Sequence, residues 1–189
     1  MLTTQESNKK INSLRDMLRE YRKYHRFLGL FLAVFLVISS LTGLLLGWKK
    51  NIDLLQPPTQ NRLSEESFLW ISISDMSAIA AAALDSAQGL GDNSIDRLEV
   101  RPEKGVVKVL FTQGYWEVQL EGSTGEVLSV ARRHSDWIEK VHDGSIISDE
   151  FKLISMNVLG LGILILTASG FILWYFPKKM RVLKKAGNF

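Results

Sequence analysis

The feature that most constrains this chain is a run without any charged residue, Phe27–Trp48, with the sequence FLGLFLAVFLVISSLTGLLLGW. As a helix rising 1.5 Å per residue, the run would extend roughly 30 Å, the thickness of the hydrocarbon core of a bilayer. A core helix of a small soluble domain seldom stays apolar on all sides for this length. A cleavable signal peptide has a shorter apolar core and small residues after it. Because Trp48, Lys49 and Lys50 follow instead, we predict an uncleaved transmembrane helix over residues 27–48.

A second uncharged run, Leu153–Phe176, predicts another transmembrane helix over residues 153–176. We expect this span to end at Pro177, followed by a basic tail over 177–189. Residues 49–152 lie between the two runs and are long enough for one small domain. The sequence therefore predicts a membrane protein in which two transmembrane helices bracket one small extramembrane domain.

Charge is distributed unevenly along the chain. Residues 1–26 carry a net charge of +4, residues 177–189 carry +5, and residues 49–152 carry −6, consistent with the overall +3. Basic residues beside membrane spans favour the cytoplasmic side. We therefore expect a bacterial inner-membrane protein with both termini in the cytoplasm and the central domain in the periplasm. The basic tails face membrane lipid in this interpretation, and nucleic acid is not an expected partner.

Cysteine is absent, which excludes disulfides, thiol catalysis, Fe–S clusters and cysteine-type zinc sites. The sequence also has no Gly-rich phosphate loop and no H-E-x-x-H motif. Neither span carries an acidic or basic residue that would conduct ions or protons. These absences argue against transport by this chain alone and favour a non-enzymatic role.

The segment 1–26 precedes the first span and is basic. Apolar residues recur at helical spacing in Ile11, Leu14, Leu18 and Tyr21. This pattern predicts an amphipathic helix that lies in the inner membrane surface and then turns into the span. The alternative is a plain, solvated extension of the span.

The central region has the pattern of a small α+β domain. A polar stretch that contains Pro57-Pro58 predicts a linker over 49–67. Alternating strands separated by Gly-containing turns predict an antiparallel sheet with a helix on one face and water on the other. The expected elements are a short strand at Phe68–Ser74, a helix at Asp75–Gln88 with Ser74-Asp75 as its N-cap, four strands at Arg97–Arg101, Val106–Phe111, Tyr115–Leu120 and Glu126–Arg133, and a short helix at Ser135–Asp143.

The third strand of this sheet shows the alternation best. Trp116, Val118 and Leu120 share one face, which we expect to be buried against the helix, whereas Glu117 and Gln119 share the face expected to meet water. The sheet is thus predicted to have one apolar, buried face and one face exposed to solvent.

Small residues recur in both spans. Small side chains let helix backbones approach closely, which is the usual basis of packing in lipid. The two spans either pack on each other through these residues or use them to dock a partner subunit or a second copy of the chain. The candidate interaction residues are Ser39, Gly43 and Gly47 in the first span and Gly160, Gly162, Thr167 and Ser169 in the second.

The sequence resembles the PepSY-associated transmembrane proteins, in their short two-span form. The stretch YRKYHRFLGLFLAVFLVISSLTGLLL resembles the first span of that family. Residues IAAAALDSAQ and IDRLEVRPEKGVVKVLFTQGYWEVQLEGSTGEVLSV resemble the PepSY domain, and the motif W-I-x-x-x-H-D-G resembles the segment before the next span. The resemblance implies a PepSY-like domain over 68–134 and a juxtamembrane helix and return over 135–152.

The resemblance also implies two functions of different kinds. Four-span relatives are similar to siderophore-iron reductases that bind haem, whereas PepSY domains elsewhere act as inhibitory or chaperone-like modules. This chain has half the spans of the reductase type and no attached peptidase. We expect an accessory or interaction subunit of a larger membrane assembly; the alternative is a haem b-carrying redox component of iron acquisition.

Haem ligation would fall to histidine, and the resemblance points to His25 and His142 as candidate axial ligands. His25 is at the inner end of the first predicted span, and His142 precedes the outer end of the second. A bilayer core of roughly 30 Å separates these levels, so one iron cannot bind both. A bis-histidine site would need a second copy or a partner. The alternatives are an interfacial His25 among tyrosines and a His142 that bonds within its own helix.

Overall fold

The computed structural model describes residues 4–63, 69–89 and 93–186. The chain divides into two compact units. The helical unit consists of the residues up to Ser40 and from Asp143 onward, and the central unit consists of Leu41–His142. The elements in chain order are α1 (Thr4–Gly47), α2 (Ile73–Gln88), β1 (Ile95–Arg101), a 3₁₀ turn (Pro102–Lys104), β2 (Val106–Phe111), β3 (Trp116–Glu121), β4 (Val127–Arg132), α3 (His134–Asp143) and α4 (Asp149–Ala186).

Helices α1 and α4 contain the two uncharged runs. Ile11–Gly47 and Asp149–Val182 are long and apolar enough to cross a membrane. In the helical unit they pack antiparallel in a fixed register. A Cβ added at Gly162 would lie 2.4 Å from Cδ1 of Leu32, and one added at Gly29 would lie 3.7 Å from Cδ2 of Leu166. Gly162 is therefore a contact between the spans of one chain, because its missing side chain admits Leu32.

The first helix is continuous from Thr4 to Gly47, with no break at Arg26. The expected turn between a surface helix and the span is therefore wrong, and the alternative, a direct extension of the span, describes the chain. The apolar positions of this extension still serve packing, since Leu18 is completely buried.

The last helix also continues past the residue expected to end its span. Pro177 lies inside α4, which runs on to Ala186. Proline lacks an N–H, so the helix loses one hydrogen bond there without ending. The apolar sequence nevertheless stops at this point, because Lys178 and Lys179 follow.

The central unit contains the predicted α+β fold. Its four strands form one antiparallel sheet in the order β1-β2-β3-β4. Helix α2 packs across one face, as the alternation in β3 predicts. The core between helix and sheet consists of Met76, Ala80, Leu84, Val107, Val109, Phe111, Trp116, Val118 and Leu120.

Two glycines allow the turns between these strands. Gly105 follows the 3₁₀ turn before β2 with a φ of 65°, and Gly125 precedes β4 with a φ of 77°. L residues rarely adopt such values. A Cβ at Gly125 would also lie 2.7 Å from Cδ1 of Ile79 on α2, so this glycine brings the turn close to the helix.

The entry to α2 differs from the prediction. Of the predicted strand, Phe68 is outside the described residues, and Leu69–Ser72 is not a strand. The helix begins at Ile73, and the N-cap is Ser72 instead of Ser74. The Ser72 hydroxyl accepts a hydrogen bond from the backbone N–H of Asp75 at 3.1 Å and donates one to its carboxylate at 2.7 Å. Ser72 thus caps the helix through its hydroxyl, at the S-x-x-D spacing that is typical of a helix N-terminus.

The prediction of a wet second face is wrong. Lys108, Glu117 and Gln119 are fully buried on the side of the sheet opposite α2. The segment predicted as a linker covers them. The backbone N–H of Gln60 donates to Oε1 of Gln119 at 2.8 Å, and Nε2 of Gln119 donates to the carbonyl of Pro58 at 3.0 Å.

A network of ion pairs occupies this second face. Lys108 Nζ lies 3.0 Å from Oε1 of Glu117, and Arg133 Nη1 lies 3.1 Å from Oε2 of the same carboxylate. Arg133 also pairs with Glu99 at 3.1 Å and with Asp136, in the first turn of α3, at 2.8 Å. Glu117 thus forms ion pairs with two basic side chains, and Arg133 connects the sheet to α3.

Pairing shifts the protonation equilibria of two members of this network, Glu99 and Arg133. Burial acts to raise the pKa of Glu99, but the charges of Arg133 and Arg97 outweigh it and hold that pKa below its usual range. Burial likewise acts to lower the pKa of Arg133, and Asp136, Glu99 and Glu117 together raise it. Both groups therefore stay ionised at neutral pH.

We predict that Trp116→Ala destabilises the central domain by about 3–5 kcal/mol, because it leaves a cavity in the core. Trp116 is 9% exposed, and Arg132 stacks on its ring at 4.9 Å. The measurement is thermal or denaturant unfolding of the full chain in detergent. Val100→Ala, at a half-exposed position on the same face, is the control and should change little. If Trp116→Ala unfolds at the same temperature or denaturant concentration as the parent, the assignment of the two sheet faces is wrong.

A second prediction concerns the ion-pair network. Glu117→Ala leaves Lys108 and Arg133 buried without their shared partner, so it should cost about 3–5 kcal/mol of unfolding free energy. Glu103→Ala, at an exposed carboxylate, should stay within about 0.5 kcal/mol of the parent. Equal stability of the two variants in the same unfolding assay would mean that the network is not buried as described.

Candidate functional site

A groove in the helical unit contains His25. Its volume is about 430 Å³, and it is lined along α1 by Met17, Glu20, Tyr21, Tyr24, His25, Phe27 and Leu28 and along α4 by Ile165 and Ser169. The α1 residues recur at helical spacing, so one face of the helix forms most of the wall. The groove is largely apolar and aromatic, which suits a lipid-soluble or planar ligand.

His25 is held at this groove by a residue of the opposite helix. Its Nδ1 lies 2.7 Å from Oγ of Ser169, and Ser169 also bonds the carbonyl of Leu166 at 3.1 Å. Gly170 lies beside the ring, since a Cβ there would be 3.5 Å from Cε1 of His25. Ser169, predicted only as a packing residue, is thus the hydrogen-bond partner of His25.

His142 lies in the central unit, at the end of α3. Its Nδ1 is 2.9 Å from Oγ1 of Thr42 on α1. The ring lies over Gly43, because a Cβ added at that glycine would be 3.3 Å from Cε1 of His142. The expectation that His142 bonds within its own helix is therefore incomplete, and Gly43 accommodates an imidazole of the same chain.

The two histidines bond different residues and do not share a partner among the contacts described. His25 pairs with Ser169, and His142 pairs with Thr42. Neither hydroxyl partner is evident from the sequence, because the pairing depends on the register between segments that lie 100 or more positions apart. Once that register is known, a hydroxyl residue on the facing helix at the same level as a histidine would identify the pair.

The other candidate interaction residues lie in different surroundings. Nothing in the described part of the chain lies within 4 Å of a Cβ added at Gly47 or Gly160. Thr167 is exposed and donates its hydroxyl to the carbonyl of Ile163 at 2.8 Å. Ser39 is partly buried. Of the predicted set, Gly162 and Ser169 therefore serve contacts within the helical unit, whereas Gly47, Gly160 and Thr167 face outward.

Acidic residues near the end of the central domain pair with bases. Glu139 lies 3.7 Å from Lys49, and Asp143 pairs with Lys152. Burial acts to raise the pKa of Asp143, but the hydrogen bonds from Lys152 and Ser145 hold it below its usual range. These carboxylates act as ion-pair partners in the structure.

Comparison with known proteins decides the family. The sequence model of the family described as "PepSY-associated TM region" matches residues 22–188. The chain belongs to this family. The match includes both uncharged helices and the whole central domain, so this is a membrane protein with a PepSY-associated region. A search of curated proteins finds no match to the chain.

Haem is the cofactor that the family resemblance implies, and one of the two candidate histidines suits it. His25 offers an imidazole beside an apolar, aromatic groove, which is the donor and the environment that a b-type haem uses. Its Nδ1 is bonded to a hydroxyl, as a ligating histidine usually bonds a second group. His25 is thus the candidate histidine that borders this groove, and it would be the residue to hold the group.

Proposed function

We propose that this chain is a non-enzymatic accessory subunit of a larger membrane assembly, in which the PepSY-like domain serves as a binding module. The observation that carries the proposal is that the buried charged side chains of the domain bond to one another. Lys108, Glu117 and Arg133 complete each other's interactions beneath the 58–62 segment. Groups committed in this way maintain the packing of a fold and are not available to bind a substrate.

The surface of the domain supports an interaction role. Leu69 and Ile73, at the entry to α2, are 83% and 71% exposed. Large apolar side chains exposed so near each other in the chain favour a contact surface for protein or membrane. In the helical unit, Gly160 lies on open surface where a second helix would approach closely.

The proposed location is the bacterial inner membrane, with both termini in the cytoplasm and the PepSY-like domain in the periplasm. The support is the positive charge that flanks both uncharged runs on the same predicted side. This arrangement would place the exposed surface of the domain where periplasmic partners meet it.

Reporter fusions test the topology. We expect cytoplasmic signals from fusions after residues 10 and 187 and a periplasmic signal from one after Gly114, because the basic tails oppose translocation. A periplasmic C-terminus would contradict the proposed orientation.

Native sizing in mild detergent tests the assembly. At native abundance the chain should migrate well above its own 21.4 kDa plus a detergent belt. Gly160→Leu should release it from the assembly, because a large side chain on the outward surface separates helices, while Gly160→Ala retains it. Gly162→Leu is the contrasting variant, since it clashes with Leu32 and should lower the stability of the chain itself. An unmutated protein that migrates as a single chain would remove the support for an accessory subunit.

The second candidate function is a haem b-carrying redox component, and the His25 groove favours it. His25 would be one axial ligand, and a second copy of the chain or a partner would supply the other. Bound haem would provide one-electron chemistry, while the apolar walls would keep water from it.

The absorbance spectrum of the purified, dithionite-reduced protein tests this candidate. Haem binding predicts Soret and α bands at a stoichiometric level. His25→Ala should abolish the bands and His142→Ala should retain them, because only His25 borders the groove. Protein purified from haem-replete cells without these bands would contradict the redox candidate.

A further inference from the structure

We propose that Ser169 is a positioning residue that fixes neutral His25 as the Nδ1–H tautomer, so that Nε2 presents its lone pair as the ligating atom of the groove. The inference deepens the haem candidate above and rests on it only for the identity of the ligand. The tautomer itself follows from contacts within α1 and α4.

The Ser169 hydroxyl has a single proton to donate. Among the described residues, Ser169 has two neighbours within hydrogen-bond distance, Nδ1 of His25 at 2.7 Å and the carbonyl of Leu166 at 3.1 Å. A carbonyl can only accept, so the hydroxyl must donate to it for that bond to form. The hydroxyl oxygen then accepts, and Nδ1 of His25 must carry the proton to complete the second bond.

The opposite tautomer satisfies fewer groups. If Nε2 carried the proton, Nδ1 would be an acceptor, and the one hydroxyl proton of Ser169 could serve either His25 or Leu166 but not both. The Nε2–H would also lack a partner among the described residues of the groove, whose walls are mainly apolar. An unpaired donor among apolar walls is unfavourable. The Nδ1–H form is therefore favoured.

Burial makes Ser169 effective in this role. It is only 9% exposed, so water competes poorly for its hydroxyl. Gly170 leaves room for the imidazole beside it, because a Cβ there would lie 3.5 Å from Cε1 of His25. The ring is thereby oriented with one nitrogen on Ser169 and the other available to a ligand. A neutral imidazole with a free Nε2 lone pair is the form that binds haem iron.

Nitrogen NMR of the full chain, labelled with ¹⁵N-histidine in nanodiscs, tests the tautomer without any haem. Correlations from the ring carbon protons distinguish protonated from unprotonated ring nitrogens, and His25→Gln assigns the His25 signals. At a pH where free imidazole is neutral, we expect the parent to show Nδ1–H. Ser169→Ala should lose this preference, because the acceptor is gone, and Ser169→Thr should restore it, because the hydroxyl returns.

The outcomes separate the positioning role from haem binding. If the parent shows Nε2–H, or if Ser169→Ala keeps the Nδ1–H form, the proposal is overturned. If the tautomer responds as expected and the Ser169→Ala protein also loses about 10- to 100-fold in haem affinity, the positioning role extends to the cofactor. If the tautomer responds but the parent binds no haem, the haem candidate fails while the role of Ser169 in setting the tautomer stands.

Discussion

Contact between side chains of α1 and α4 is the interaction on which the helical unit depends. Lipid is as apolar as the side chains of the spans, so burying leucine against leucine provides no hydrophobic drive between them. What remains is van der Waals fit and hydrogen bonding across the helices. Gly162 supplies the fit by admitting Leu32, and Ser169 supplies the polar contact by bonding His25. Both contacts fix the same antiparallel register.

In the central domain, unlike in the helical unit, the hydrophobic effect drives the packing of the elements. Here water is the competing solvent, and apolar burial between α2 and the sheet provides the main stabilisation. The second face is held differently, by a charged cluster that the 58–62 segment and α3 cover. Such a cluster is costly to bury and costly to disrupt, so it contributes specificity of packing more than net stability. Arg133 is central because it joins Glu117 and Glu99 of the sheet to Asp136 of α3.

Most of the fold could be predicted from the sequence because its signals are local. The absence of charge in Phe27–Trp48 and Leu153–Phe176 identifies both long helices, and alternation with glycine turns identifies the four strands. The PepSY-associated family resemblance is likewise confirmed by the match over residues 22–188. The N-cap at Ser72 was missed although the S-x-x-D spacing was present.

The errors concern contacts between distant segments. Glu117 and Gln119 alternate with apolar residues as solvent-facing residues do, yet both are buried. Gln119 bonds the returning 58–62 segment, and Glu117 pairs with Arg133. The role of Ser169 depends in the same way on the register of two helices whose sequences give no sign of it. Small residues indicate that close packing occurs but not which neighbour provides it, which is why Gly162 and Gly160 have different surroundings.

The position of Ser169 opposite His25 depends on the register of α1 against α4, and the absence of cysteine allows paired cysteine substitutions to measure that register. In Leu32→Cys/Gly162→Cys, the two thiols should form a disulfide within one chain under mild oxidation in native membranes, because a Cβ at Gly162 would lie 3.3 Å from Cγ of Leu32. The product is detected as a faster-migrating monomer on non-reducing gels. The offset pair Leu32→Cys/Gly160→Cys should not form it. Cross-linked dimers without the intrachain product, or equal cross-linking of both pairs, would contradict the described packing and the position of Ser169 opposite His25.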